Sequence, residues 1–239
     1  MSSVVLLHGA WHGGWCWGRV VPALRSAGHG VFTPTLTGVS DRAHLLSPSV
    51  GLSTHISDVV RLIEAEDLHD VLLVGHSYAG MVVSGVCEAV PERVATRVHL
   101  DAFVPQSGDA AIDLLPEQVA HHYREAVAGP GFGWLIPPRS LKVLGVTEQA
   151  DLDWLTPRLT PQPWATYSDA LHLGMGEAQV SGVFVECVDW MRVFTPQADR
   201  ARARGWPVRT IATGHEAMVT APAALAAILL TVLDQAHHT

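Results

Sequence analysis

The sequence predicts an α/β protein, a doubly wound and mostly parallel sheet with an inserted helical cap, and three observations predict it. The first is Val71-Leu72-Leu73-Val74, a buried-strand run that leads into Gly75-His76-Ser77-Tyr78-Ala79-Gly80 and then into helix-compatible residues from Met81 to Ala89. The second is the alternation of such strands with helical stretches along most of the chain, the pattern of βαβ units. The third is a break in that alternation at Pro105, after which Pro- and Gly-rich sequence with short helical pieces continues to about Val180. The expected division is a core of residues 1–104 and 181–239, with 105–180 as a cap insertion.

Val4-Val5-Leu6-Leu7 reads as the first strand and ends in His8-Gly9-Ala10-Trp11-His12-Gly13-Gly14-Trp15. A glycine-rich loop there invites a dinucleotide, yet no G-x-G-x-x-G is present, and Trp11 and Trp15 stand where phosphates need open backbone. Trp17 to Ala27 reads as a helix closed by Gly28. Val31 to Leu36 reads as a second strand and Thr37 to Ser53 as a loop. From Thr54 onward, Ile56, Val59, Val60 and Ile63 share a helical face, with Ser53 or Thr54 as N-cap. Val94 to Leu100 is a strand ending at Asp101.

Inside the insertion, Pro116 to Ala128, Glu148 to Leu155 and Ala165 to Leu171 read as helices among Tyr123, Trp134, Trp154, Trp164 and Tyr167. Aromatic-rich insertions between strands of such a sheet roof the ligand site. The sheet resumes with Gly182 to Val188, a helix follows at Pro196 to Arg204, and Val208 to Ala212 is the last strand. The final helix has Pro222 near its start, with Leu225, Ile228, Leu229 and Val232 on one face.

Composition narrows the function classes. A chain of 239 residues, 48% hydrophobic and 16% charged, suits a globular enzyme and excludes disorder. A net charge of −8 without a basic cluster argues against nucleic acid or an anionic membrane as partner. Cys16, Cys87 and Cys187 are widely spaced with no CxxC, so neither a disulfide framework nor a zinc site is expected. The first strand begins almost at the start and no apolar run approaches the roughly 18 residues of a membrane span, so a cytoplasmic protein is expected. The fourteen histidines are scattered, and the pairs His121-His122 and His237-His238 read as solvated surface.

Gly-x-Ser-x-Gly at a strand-to-helix junction is a nucleophile elbow: the turn is tight, its flanks lack bulk, and the Ser Oγ stands clear of the sheet. Ser77 then needs a neutral His as base, and ligand sites in such sheets lie at the carboxyl ends of strands. Thr213-Gly214-His215-Glu216 follows the last strand, which makes His215 the base, with His76 tied to the turn and His8 shaping the first loop. The order Ser, acid, His places the carboxylate between Ser77 and His215. Asp189, at the end of the Gly182 to Val188 strand, fits that order best; Asp101 is its competitor. The backbone N–H of Tyr78 and that of Ala10 are the expected oxyanion donors. Trp134, Trp164 and Tyr167 of the cap, with Trp11 and Leu36 of the core loops, are candidates for an apolar or aromatic substrate pocket.

Taken together, His8-Gly-Ala-Trp-His-Gly-Gly-Trp-Cys-Trp17, Thr33-Pro-Thr-Leu-Thr-Gly38, Gly75-His-Ser-Tyr-Ala-Gly80, Leu100-Asp-Ala-Phe-Val-Pro105 and Gly214-His-Glu-Ala-Met218 make the chain resemble the α/β-hydrolase superfamily. Within it, the chain is similar to the group of plant methylesterases, plant hydroxynitrile lyases and bacterial pyrethroid-hydrolysing carboxylesterases. The resemblance implies Ser77 as nucleophile, His215 as base, Asp189 as acid, Ala10 and Tyr78 as oxyanion donors, and neither metal nor organic cofactor. Two departures matter. The group writes Cys-Thr-x-Asp before the acid, whereas Cys187-Val188-Asp189 is one residue shorter, which keeps Asp101 in contention. The lyases carry a Lys after the catalytic His and a Thr in the first loop, where this chain has Glu216 and Trp11, so a cyanohydrin would meet the wrong field.

The expected function is a cofactor-free serine carboxylesterase acting on a small apolar or aromatic ester through an acyl-enzyme. Same-triad tailoring or C–C hydrolysis, and a small-molecule receptor without turnover, are the alternatives. A small-molecule ester is the expected partner, and a homodimer stays open.

Overall fold

The computed structural model describes residues 2–236. Its core is one six-stranded parallel sheet: β1 (Ser3–Leu7), β2 (Gly30–Phe32), β3 (Val71–His76), β4 (Val94–Leu100), β7 (Ser181–Cys187) and β8 (Val208–Ile211), in the spatial order β2-β1-β3-β4-β7-β8. β5 (Leu135–Ile136) and β6 (Gln162–Pro163) form a separate antiparallel ribbon in the insertion. The central strands read as continuous apolar runs because both faces are covered. Val4 to Leu7 and Val71 to Val74 are all buried.

The helices are α1 (Val21–Ser26), α2 (Leu52–Ala65), α3 (Ala79–Ala89), α4 (Glu117–Ala128), α5 (Gln149–Leu155), α6 (Ala165–Ser168), α7 (Thr195–Ala203), α8 (Ala217–Thr220) and α9 (Pro222–Ala236). Residues 105–180 contribute no strand to the main sheet; they supply the ribbon, α4, α5 and α6.

Several elements differ from the sequence expectation. The stretch expected as one helix from Trp17 to Ala27 is a 3-10 turn over Gly14–Arg19 followed by the short α1, because Pro22 has no N–H to continue a ladder and suits a first helical turn. β2 stops at Phe32, two residues before Pro34. Leu36 has left the sheet, and its N–H is accepted by His8 Nε2 at 3.0 Å. The Thr37 to Ser53 loop contains a 3-10 turn at Ser40–Leu45. α2 starts at Leu52, its first N–H bonded to Asp169 Oδ2 at 3.1 Å, and its buried stripe is Leu52, His55, Val59 and Ile63. Of the three helices expected in the insertion, the third is a single turn, Ala165–Ser168.

All three cysteines are buried, free thiols. His121 and His122 are exposed, while His237 and His238 lie outside the described residues. Among the described residues no helix is long and apolar enough to cross a membrane.

Candidate active site

β3 delivers Ser77 as the sequence requires. Ser77 has φ 55, the left-handed region a non-glycine residue occupies only when its surroundings hold it there. They do: Ser77 N–H donates to Leu100 O at 3.1 Å, and its carbonyl accepts the N–H groups of Gly80 (3.1 Å) and Phe103 (3.2 Å). A Cβ at Gly80 would run into the Phe103 backbone, and one at Gly75 into Val83 and Ala79, so both flanks of the serine must be bare. Tyr78 sits at the N-terminus of α3, where helix N–H groups lack intrahelical acceptors and the dipole is positive. Its buried phenol meets His55 Nδ1 at 3.0 Å and its ring stacks on Tyr167.

The loop after β1 is pinned against this elbow. A Cβ on Gly9 would lie 2.7 Å from His76 Nδ1 and 3.0 Å from Ser77 Cβ. His12 Nδ1 donates to Ala10 O at 2.7 Å, and its Nε2 is 3.4 Å from Glu216 Oε2, which joins the Ala10 loop to the residue after His215. His8 Nδ1 donates to Gly9 O at 2.8 Å and its Nε2 accepts from Leu36; burial pushes its pKa down to about 3, so it serves as a neutral strut. Trp11, at φ 69, staples the loop to the insertion. Its Nε1–H donates to Ile136 O (3.0 Å), its carbonyl accepts from Thr160 N–H (3.0 Å), and its own N–H reaches Gln162 Oε1 (3.3 Å).

His215 follows β8 and is held from several sides. Its N–H donates to Leu144 O at 2.8 Å, and its carbonyl accepts from His76 Nε2 at 2.9 Å. Its ring stacks on Phe194 (centroids 5.2 Å, planes 4° apart) and packs against Trp190 at 4.5 Å. Its Nδ1 lies 2.7 Å from Asp101 Oδ2. Asp101 is fully buried, has φ 43, donates its N–H to Val185 O at 2.7 Å and accepts the Cys187 N–H on Oδ1 at 3.3 Å. Burial pushes its carboxyl above the ordinary range, against the pull of the imidazole and the Cys187 N–H.

The preference for Asp189 beside the imidazole is therefore corrected in geometry: the carboxylate there belongs to Asp101. Val188 and Asp189 continue the pairing of β7 with β8 through N–H bonds to Ile211 O and Thr213 O, both 3.1 Å, and the Asp189 side chain is exposed. Trp190, the next residue, occupies the space against His215. Glu186 is buried and its carboxylate accepts from Arg192 and Thr195 instead.

Ser77 and His215 line one tight pocket of about 30 Å³ whose other walls are almost wholly apolar and aromatic. Of the expected substrate residues, Trp11 and Tyr167 line it. Leu36 is buried in the core instead, and Trp134 and Trp164 are half-buried and bonded to each other (Trp164 N–H to Trp134 O, 2.8 Å). The pocket is completed by Phe103 after β4, Tyr123 on α4, Arg139 and Leu144 in the insertion, and Trp190 and Phe194 after β7. Trp190 and Phe194 were readable as residues just past a strand's carboxyl end; Arg139 and Leu144 carried no periodic signal. Among the described residues the one grouping with metal-ligand spacing is His76, His215 and Glu216. It shares His215 with the serine's pocket, so an ion there would occupy that imidazole.

Comparison with known proteins agrees with this construction. Residues 4–228 match the Alpha/beta hydrolase family. A carbendazim hydrolyzing esterase of Nocardioides sp. (strain SG-4G) is 42% identical over 239 residues, covering 95% of this chain and 97% of that protein. Salicylic acid-binding protein 2 of Nicotiana tabacum is 35% identical over 104 residues, 43% of this chain and 40% of that protein. An extracellular alpha/beta-hydrolase from a Paenibacillus species shares the fold with a TM-score of 0.85 at 23% identity, over 97% of this chain and 98% of that one. With the elbow, the parallel sheet and relatives of nearly equal length in agreement, this chain is a member of the alpha/beta hydrolase family and a carboxylesterase-type hydrolase.

Proposed function

We propose that the chain hydrolyses small aromatic or apolar esters with Ser77 as nucleophile, His215 as general base and Asp101 as the orienting acid. The observation that carries this is the 2.7 Å contact of His215 Nδ1 with Asp101 Oδ2, in a pocket that also holds Ser77. A carboxylate there fixes the Nδ1–H tautomer, leaves Nε2 as the proton acceptor and stabilises the imidazolium. Ser77 Oγ attacks the ester carbonyl, His215 takes its proton and returns it to the leaving alcohol, and water then releases the acid from the acyl-enzyme by the reverse relay.

The oxyanion is received by the backbone N–H groups of Tyr78 and Ala10. The α3 N-terminus supports the first; the packing of Gly9 on Ser77 and the clamp of His12 on the Ala10 carbonyl support the second. Residues 105–180 act as the cap: Tyr123, Tyr167 and Leu144 close the pocket over the serine. Burial keeps the phenols of Tyr123 and Tyr167 neutral, which suits a flat, weakly polar substrate. Because a relative is named for hydrolysing carbendazim, that aryl methyl carbamate belongs in the substrate panel.

The test is hydrolysis of p-nitrophenyl acetate, p-nitrophenyl butyrate, methyl benzoate and carbendazim by wild type and Ser77→Ala. Turnover that disappears with Ser77 is the expected result. Equal rates in both proteins, with ligands still binding, would favour a receptor over an esterase.

A further inference from the structure

Arg139 stands out by what it lacks. Each of the other arginines among the described residues donates to a carboxylate, a backbone carbonyl or a side-chain amide. Arg139 has no such acceptor: its guanidinium lies 5.5 Å from the Tyr123 ring centroid, and its polar neighbours are the phenols of Tyr123 and Tyr167. It is partly buried and lines the pocket that holds Ser77 and His215, among side chains that offer no negative charge.

A cation over an aromatic face is attracted by the ring quadrupole, and a guanidinium still has most of its five N–H donors to offer a ligand. Removing a charge partly from water into an apolar wall without an anionic partner is unfavourable, and a complementary ligand group recovers that cost. The guanidinium fork matches a carboxylate with two parallel bonds. With the chain at net −8, an isolated cation at the pocket is also the local exception to a field that repels anions.

We propose that Arg139 is the anionic-group subsite of this pocket, and that the preferred substrates are aryl esters carrying a carboxylate remote from the scissile carbonyl. This rests on the Ser77 esterase reading and specifies its substrate class. Arg139 pairs with the distant carboxylate, the aromatic walls hold the ring, and the scissile carbonyl lies at Ser77.

The experiment compares kcat/KM for methyl benzoate, monomethyl terephthalate and monomethyl isophthalate in wild type, Arg139→Ala, Arg139→Lys and Ser77→Ala. Wild type is expected to favour at least one carboxylate-bearing ester by about tenfold or more, a charged hydrogen bond's worth, mainly through KM. That ratio collapses toward one in Arg139→Ala, is partly kept in Arg139→Lys, and shrinks with added salt. Binding is read separately, by tryptophan fluorescence of Ser77→Ala titrated with monomethyl terephthalate, since Trp11 and Trp190 line the pocket. It should weaken about tenfold in the Ser77→Ala/Arg139→Ala double variant. An unchanged ratio and unchanged binding overturn the subsite while methyl benzoate turnover leaves the esterase intact. Arg139-dependent binding without turnover of any ester would sink the esterase and keep the subsite.

Discussion

Two strand ends in this sheet, those of β4 and β7, each carry an aspartate, and they have opposite fates. Asp101 leaves β4 at once through a left-handed turn, is sealed from water and bridges the two strands, with its N–H on Val185 O and Oδ1 on the Cys187 N–H. Asp189, two residues past the end of β7, stays tied to the neighbouring strand: its N–H donates to Thr213 O, and its carboxylate is exposed. Proximity to a strand's carboxyl end is thus insufficient. A residue reaches the imidazole when its backbone departs from pairing at the right point, and β4, lying between the serine's strand and β7, offers that point.

The comparison breaks most decisively by mutation. Asp101→Asn should lower kcat by about 10⁴, because the amide no longer enforces the productive tautomer or stabilises the imidazolium. Asp189→Asn should change kcat less than about twofold, as a surface substitution away from the chemistry. Steady-state kinetics on one aryl ester decides it, and comparable losses in both variants would return Asp189 to the triad.

What was legible follows the same division. Val71 to Gly80 was readable because an apolar run, a serine and two bare neighbours encode a strand, a strained turn and a helix locally. His215 was readable because it directly follows a strand. The choice between Asp101 and Asp189 was not local: it depends on where β7 stops pairing with β8, and the missing residue between Cys187 and Asp189 hinted at this without settling it. The insertion was the least legible part, since its form comes from single bonds over long sequence distances, such as Trp11 Nε1 to Ile136 O. Helical spacing gave α4 and α5 but gave no account of Arg139 or Leu144 entering the pocket.

The strand ends also differ in how they respond to pH. His8 at the end of β1 and His99 in β4 are buried with pKa values pushed down to about 3, and His55 of α2 to about 4. Each takes up a proton in the unfolded chain below about pH 6.5 but not in the fold. Their stabilising contribution is therefore complete above pH 6.5 and is lost as pH falls toward 3–4, at up to about 1.4 kcal/mol per pH unit for each histidine. Denaturant unfolding between pH 7 and 4.5 should show this slope. His99→Gln, which retains a donor for the Phe103 carbonyl now bonded to Nδ1 at 2.7 Å, should reduce it. A stability independent of pH over that range would refute the assignment.

The smallest expected effect concerns Asp101 itself, and it separates catalysis from stability at one residue. Its carboxyl is raised by burial, so protonation is easier in the fold than in the unfolded chain and holding the anion costs desolvation. A group raised in this way stabilises below its unfolded pKa and loses that contribution as pH rises through the folded value. Asn at this position keeps a carbonyl oxygen for the Cys187 N–H and carries no charge. Asp101→Asn should therefore melt no lower than wild type near pH 7, and any advantage should vanish as pH falls through the carboxylate range. Thermal melts at pH 7 and pH 4 test this. A variant that melts well below wild type at pH 7 would mean that the bond from His215 Nδ1 outweighs the burial of the charge, and that Asp101 holds the fold together whatever it does for His215.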